Sequence, residues 1–188
     1  MTAPPPVIGP TSGPIVSRLA AALFLRREFY ARAAVETTAT GPAGAIVSLV
    51  ALIRESVVIY EISQVWRAWA WILPILVTIA LLAWLIIGAA AWVVTRPFLR
   101  SPPDFRRLLR CLGFAQAPTM MLAGLAVTSD PRVYLIAYLA LMAWAYAAIG
   151  VAMRAAADTS TGRAALLALP VFLVQFLLLL LSRYVVLG

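Results

Sequence analysis

Residues 71–95 read WILPILVTIALLAWLIIGAAAWVVT, twenty-five positions without a charge. A membrane-crossing α-helix needs about 20 predominantly apolar residues, whereas a buried helix of a soluble core needs only about 10–14. Four further apolar stretches lie near 43–62, 111–128, 133–153 and 164–187. Over the 188 residues, 64% are hydrophobic and 12% charged, and mean hydropathy is +0.98. Soluble domains carry roughly 25% charged and about 45–50% apolar residues. So small a chain cannot hide the surplus in a core, so it must face hydrocarbon. The expected fold is all-α: a polytopic membrane helical bundle of five transmembrane segments plus an N-terminal amphipathic helix.

The first and third segments are the weaker ones. Arg54 and Glu55 interrupt the first and Glu61 follows them, while the third is short and carries Gln116 and Pro118. Ahead of the spans, residues 1–14 (MTAPPPVIGPTSGP) are rich in Pro, Gly, Ser and Thr and read as a disordered tail. Residues 15–40 read as one amphipathic helix. Leu19, Leu23, Phe29 and Tyr30 recur at helical spacing among Arg18, Arg26, Arg27 and Arg32. Such an element lies on an anionic membrane face or packs on its own membrane domain. Its apolar-then-basic order reverses that of a signal peptide, so the first span is expected to act as an uncleaved anchor. Residues 41–188 form the membrane domain.

All fifteen basic residues are Arg, and the net charge is +8. The absence of Lys points to a GC-rich coding bias and a bacterial source. Most Arg flank apolar spans, which the positive-inside rule explains better than nucleic-acid binding. With the N-terminus in the cytoplasm, eleven Arg fall inside and only Arg54, Arg67, Arg132 and Arg183 outside. Tyr60, Trp66, Trp69, Trp71, Tyr134 and Tyr184 then sit near the outer ends, where amphipathic rings prefer the headgroup level. This places the chain in a bacterial cytoplasmic membrane with its C-terminus outside.

Chemistry-bearing residues are sparse. His is absent and Cys111 is the single cysteine, which excludes His-based triads, an internal disulfide and Cys/His zinc sites. No two of the seven carboxylates share a span at i, i+3 or i+4, which weakens acid/base pairs and di-metal sites. Neither a catalytic set, a metal nor a cofactor is expected. Arg54 and Glu61 share a helix face, whereas Arg54 and Glu55 point about 100° apart. These three read either as an intramembrane polar cluster or as an early-emerging helix with snorkelling stems.

Gly113-Phe114-Ala115-Gln116-Ala117-Pro118 is the sharpest local motif. Pro118 strips the Phe114 carbonyl of its helical donor and breaks the helix. Gln116 is placed to bond a freed carbonyl or a neighbouring helix, and Gly113 permits close backbone approach. Between the fourth and fifth spans, Asp158 is expected to pair with Arg154 or Arg163 or to cap the fifth helix, near Gly162.

Three stretches resemble bacterial members of the Yip1-domain family in order and spacing over about residues 28–180. They are Glu36-Thr-Thr-Ala-Thr40-Gly41-Pro42-Ala43, Leu109-Arg110-Cys-Leu-Gly113-Phe-Ala-Gln116-Ala-Pro118, and Met153-Arg154-Ala-Ala-Ala-Asp158-Thr-Ser-Thr161-Gly162-Arg163-Ala164. The resemblance implies five spans and a cytoplasmic N-terminus. It implies a fold more than a function, because the vesicle trafficking with small GTPases of eukaryotic members has no bacterial counterpart.

The expected activity is that of a non-enzymatic scaffold or interaction protein. Arg26, Arg27, Arg96, Arg100, Arg106, Arg107 and Arg110 would meet anionic lipid headgroups or an acidic partner. Gly113, Gln116 and Pro118 would hold the bundle. Partners would be membrane lipids, other copies of the chain or a membrane protein complex. An accessory subunit of a larger complex is the second reading. A small-solute or ion transporter is the third, and it requires a midplane cavity lined by Gln116, Gln175 or Arg54. The topology carries its own test: a reporter fused after Gly188 should lie outside the cytoplasm and one inserted at Ser101 inside. The same side for both would change the span count by one.

Overall fold

The computed structural model describes residues 14–62, 66–125 and 128–187, with side chains described except at 56–69 and 182–187. The regular structure of the described residues is helical: α1 (Ile15–Leu23), α2 (Arg27–Val35), α3 (Thr40–Ile62), α4 (Trp66–Phe98), α5 (Phe105–Phe114), α6 (Leu122–Leu125), α7 (Pro131–Ala157) and α8 (Thr161–Leu187). Short 3₁₀ turns at Thr37–Ala39 and Ala117–Met121 join α2 to α3 and α5 to α6. Five segments are long and apolar enough to cross a membrane: Thr37–Glu55, Ala70–Phe98, Phe105–Leu125, Pro131–Ala157 and Thr161–Leu181. The chain is an all-α integral membrane protein.

The five segments are not equivalent. In the apolar window of Phe105–Leu125, 72% of residues are buried inside the protein, against 17% for Ala70–Phe98. The third segment is therefore the centre of the bundle, and α4 is a lipid-facing wall. Around α5 stand α2, α3, α4 and α7, and α8 packs against α4 and α7. Phe29, Tyr30, Ile46, Leu108, Leu112, Phe114, Ile149, Met153 and Val171 fill the core between them. The outer surface carries Ile75, Ile79, Leu82, Leu85 and Ile86 on α4 and Leu166, Leu169, Leu173 and Leu177 on α8, all exposed. Exposed large apolar side chains in that number suit only an apolar solvent.

Residues 15–40 differ from the single helix expected of them. Leu25 adopts φ 51°, and the chain turns there into a second helix. The Leu25 N–H bonds the Ala22 carbonyl and the Arg26 N–H bonds that of Ala21, the reciprocal pattern that closes a helix at a left-handed residue. Glycine normally occupies that position, so the pattern gave no warning. α2 follows the second of its two expected readings and packs on the membrane domain: Phe29, Tyr30, Ala33 and Ala34 are buried against the bundle, while Arg27, Glu28 and Val35 stay exposed. Residues 1–13, the expected tail, lie outside the described residues. So do the side chains of Tyr60, Glu61, Trp66, Arg67, Trp69, Arg183 and Tyr184.

The third segment starts at Phe105, six residues before the expected boundary. Arg106, Arg107 and Arg110 read as loop residues, but two of them turn inward. The helix stops after Phe114 and resumes as a 3₁₀ turn containing Pro118, the break that proline dictates. At Gly113 an added Cβ would stand 2.9 Å from the Ala43 Cβ and 3.1–3.2 Å from the Trp84 indole. Only glycine lets α3, α4 and α5 meet this closely.

Gly88 makes a useful control. A Cβ there would stand 2.7 Å from Leu109 Cδ1, the movable end of a side chain, and 3.4 Å from the Phe105 ring. Both substitutions to Ala gain the same helix propensity. Gly113→Ala should destabilise the protein by about 1–3 kcal/mol through overpacking, whereas Gly88→Ala should stay within about 1 kcal/mol through a rotamer shift. Thermal unfolding in mild detergent measures both, and equal melting points would remove Gly113 as the determinant of this contact.

Candidate functional site

The seven arginines expected on one basic face divide into three groups. Arg96, Arg100 and Arg106 are exposed at the α4–α5 junction. Arg96 lies over the Trp92 ring, its guanidinium carbon 3.5 Å from the centroid, a cation–π contact that holds the charge beside the helix. Arg163, at the start of α8, is also exposed, and Arg154 is half-buried in the last turn of α7. Arg107 reaches Ala155 of that same turn, so these residues share one end of the bundle. Arg26 and Arg27 are exposed elsewhere. They follow Leu23, whose carbonyl accepts from Trp144 Nε1 at 3.1 Å, midway along α7.

Arg107 and Arg110 form the third group and correct the expectation for both. Arg110 is 6% exposed. Its Nε and Nη2 donate to the carbonyls of Ala33 and Ala34 at 3.0 and 2.7 Å. Those two carbonyls lie in the last turn of α2, where no backbone N–H follows to take them. Arg107 Nη2 donates to the Ala155 carbonyl at 3.0 Å in the last turn of α7. Two cations on one helix thus cap the negative ends of two neighbours. Cys111 adds a thiol contact of 3.7 Å to the Tyr30 carbonyl. Burial, reinforced by Cys111, holds the Tyr30 phenol well above the ordinary tyrosine range. It therefore stays a neutral donor to the Ala22 carbonyl, 3.3 Å away.

A second polar group lies deeper. Arg54 pairs with Glu55 through Nε and Nη2, both 2.6 Å from Glu55 Oε1. Adjacent positions diverge on a helix, so the contact requires Arg54 to curl back across the helix surface. Glu55 is buried and Arg54 about one-fifth exposed. Gln116 Nε2 donates to Gln175 Oε1 on α8 at 3.1 Å, and Thr119 Oγ1 donates to the Gln116 carbonyl at 2.7 Å. Arg54, Glu55, Gln116, Thr119 and Gln175 line one cavity of about 260 Å³ between α3, α4, the 117–121 turn and α8. Gln175 lies fourteen residues into α8, about 21 Å along the helix from its start at 1.5 Å per residue. Periodicity could not show that Arg54–Glu55 and Gln116–Gln175 converge, because they come from segments 59 or more residues apart apart from the Arg54–Glu55 neighbours themselves.

Asp158 takes a left-handed conformation, φ 47°, at the C-cap of α7, which a short polar side chain tolerates. Among the described residues it pairs with neither Arg154 nor Arg163. The loop motif is a turn that closes α7, and Gly162 has open space around its Cα. No group of three or more His, Cys, Asp or Glu able to hold a metal ion occurs among the described residues.

These features define a polytopic membrane protein whose helices are assembled around a short, buried, arginine-bearing helix. The family model for the Yip1 domain matches residues 20–182, and the chain belongs to the Yip1-domain family. Comparison with curated proteins and with solved structures finds no match.

The capping role of Arg110 can be measured. Arg110→Met keeps the stem but leaves the carbonyls of Ala33 and Ala34 without donors, at about 1–3 kcal/mol each. Amide hydrogen exchange in α2 should accelerate on the order of 100-fold, since about 3 kcal/mol of local stability is lost. Exchange in α8 should change far less. An unaltered α2 would show that apolar packing alone docks it.

Proposed function

We propose that the chain is a non-enzymatic membrane scaffold that binds anionic lipid headgroups through its arginine-rich end. The observation that carries this reading is the exposure of Arg96, Arg100, Arg106 and Arg163 at one end of the bundle, next to the apolar belt of α4 and α8. A guanidinium gives phosphate a planar fork of donors. Each cation near an anionic leaflet contributes about 1 kcal/mol. In a cell this end would face the cytoplasm of a bacterial inner membrane, in line with the arginine bias of the loops. Arg26 and Arg27 supply a second basic patch for headgroups or for an acidic partner. Assembly with further copies or with a larger membrane complex uses the same surface.

The cavity supports a second reading, transport of a small solute, since Arg54, Gln116 and Gln175 all line it. Its remaining lining residues are apolar apart from Thr119 and Glu55, which suits an amphiphile better than a hydrophilic solute.

Native mass spectrometry from nanodiscs of mixed phosphatidylcholine and phosphatidylglycerol tests the scaffold reading. The wild type should retain phosphatidylglycerol preferentially. The triple variant Arg96→Gln, Arg100→Gln, Arg106→Gln should lose about 3 kcal/mol of that preference, roughly 100-fold, and elevated salt should weaken the wild type in the same direction. Equal retention by both proteins would sink the reading.

A further inference from the structure

We propose that the cavity between α3, α4 and α8 binds the hydroxyl head of a neutral single-chain amphiphile, such as a monoacylglycerol or long-chain alcohol, taken from the bilayer. This is independent of the arginine-rich end and uses none of its residues.

Three observations carry it. The first is an unpartnered donor. Gln175 is only 2% exposed, and its Nε2 has no hydrogen-bond partner, although its Oε1 is engaged by Gln116. A buried amide N–H without an acceptor is costly and uncommon in native proteins, and this one belongs to a residue lining the cavity. The second is the charge balance. Arg54 and Glu55 neutralise one another, and both contacts fall on Oε1, so Oε2 retains capacity to accept. A phosphate or carboxylate head would meet Glu55, and an ammonium head would meet Arg54. A hydroxyl both accepts and donates and carries no charge, which suits a floor with a spare amide donor and a carboxylate.

The third observation is the way in. Ile79, Leu82 and Ile86 of α4 and Leu181 of α8 line the cavity and are 44–57% exposed on the lipid-facing surface. The polar floor therefore communicates with hydrocarbon through an apolar mouth. The volume, about 260 Å³, lies just below the roughly 300–1,000 Å³ of ordinary small-molecule sites. It has room for a small head and the first part of one chain, with the rest of the tail leaving between α4 and α8.

The test uses the full chain in phosphatidylcholine nanodiscs and a monoacylglycerol with a diazirine in its acyl chain. After irradiation, labelled positions are mapped by peptide mass analysis. Label should concentrate on residues 76–87 and 175–181. Unlabelled monooleoylglycerol should compete it away, and lysophosphatidic acid should compete at least tenfold less well. Gln175→Leu should lower the specific label at least tenfold in a protein that remains folded, with a melting temperature reduced only by the loss of the Gln116 bond. Ala83→Leu, which fills the cavity from its wall, should do the same should Gln175→Leu prove unstable. Non-saturable label, label spread evenly over the lipid-facing helices, or unchanged label in the folded variants would overturn the site. Equal competition by lysophosphatidic acid would overturn the neutral hydroxyl head. Loss of phosphatidylglycerol preference in the arginine variant bears on neither result.

Discussion

Arg110 places a permanent positive charge in the interior of a protein solvated by hydrocarbon, and the arrangement of the bundle follows from what that charge must touch. A guanidinium only 6% exposed needs acceptors from the chain, and the carbonyls ending α2 supply them. Once α2 is fixed against α5, the Phe29 ring meets Phe114 edge to face at 4.8 Å and Tyr30 reaches back to Ala22. α1 packs against α2, α3 and the 117–121 turn, and its last turn is tied to α7 by the Trp144 bond to the Leu23 carbonyl. The neighbouring Arg107 does the same for the end of α7. A short helix with two inward arginines thereby becomes the hub for four others.

Lipid tails are as apolar as leucine, so burial of apolar surface gives transmembrane helices little reason to associate. Close packing and hydrogen bonds must do it instead. The chain supplies both at specific points. Ala145, Ala148, Ala152 and Ala156 give α7 a stripe of small buried residues at helical spacing, and Gly113 does so for α5. Directional bonds then fix the register. Trp84 Nε1 donates to the Leu109 carbonyl at 2.9 Å, and Tyr146 Oη donates to the Ala165 carbonyl at 2.8 Å. Each joins a different helix pair, and each acceptor is a backbone oxygen.

What the amino-acid sequence disclosed of this follows the range of the forces involved. The five spans were legible because apolar length is a property of a single segment. So was the break at Pro118, because a missing N–H acts within one turn. The division of residues 15–40 was hidden because leucine, not glycine, occupies the left-handed position. The inward turn of Arg107 and Arg110 was hidden for a different reason. Arginine near a span is normally a headgroup residue, and only the neighbouring helix ends, distant in the chain, reverse that reading. Of the cavity, Arg54, Gln116 and Gln175 were individually conspicuous as polar groups in apolar stretches. The curl of Arg54 onto Glu55, and the meeting of Gln116 with Gln175, depend on rotamers and packing that no local pattern encodes.

The two ways in which the bundle handles polar groups have different implications. Arg107 and Arg110 satisfy carbonyls that every helix end leaves open, so their presence is explained by assembly alone. Arg54 and Glu55 satisfy mainly one another. A buried ion pair often gives no more stability than apolar residues of the same volume, and in a membrane span such charges are rare and commonly functional. Leucines at positions 54 and 55 would have suited the first span better on hydropathy alone. Gln175 deepens the contrast, since one half of its amide is bonded and the other half is not. Structural polar networks tend toward complete satisfaction. A network left open beside a cavity, with apolar walls leading to lipid, is arranged to be completed by another molecule.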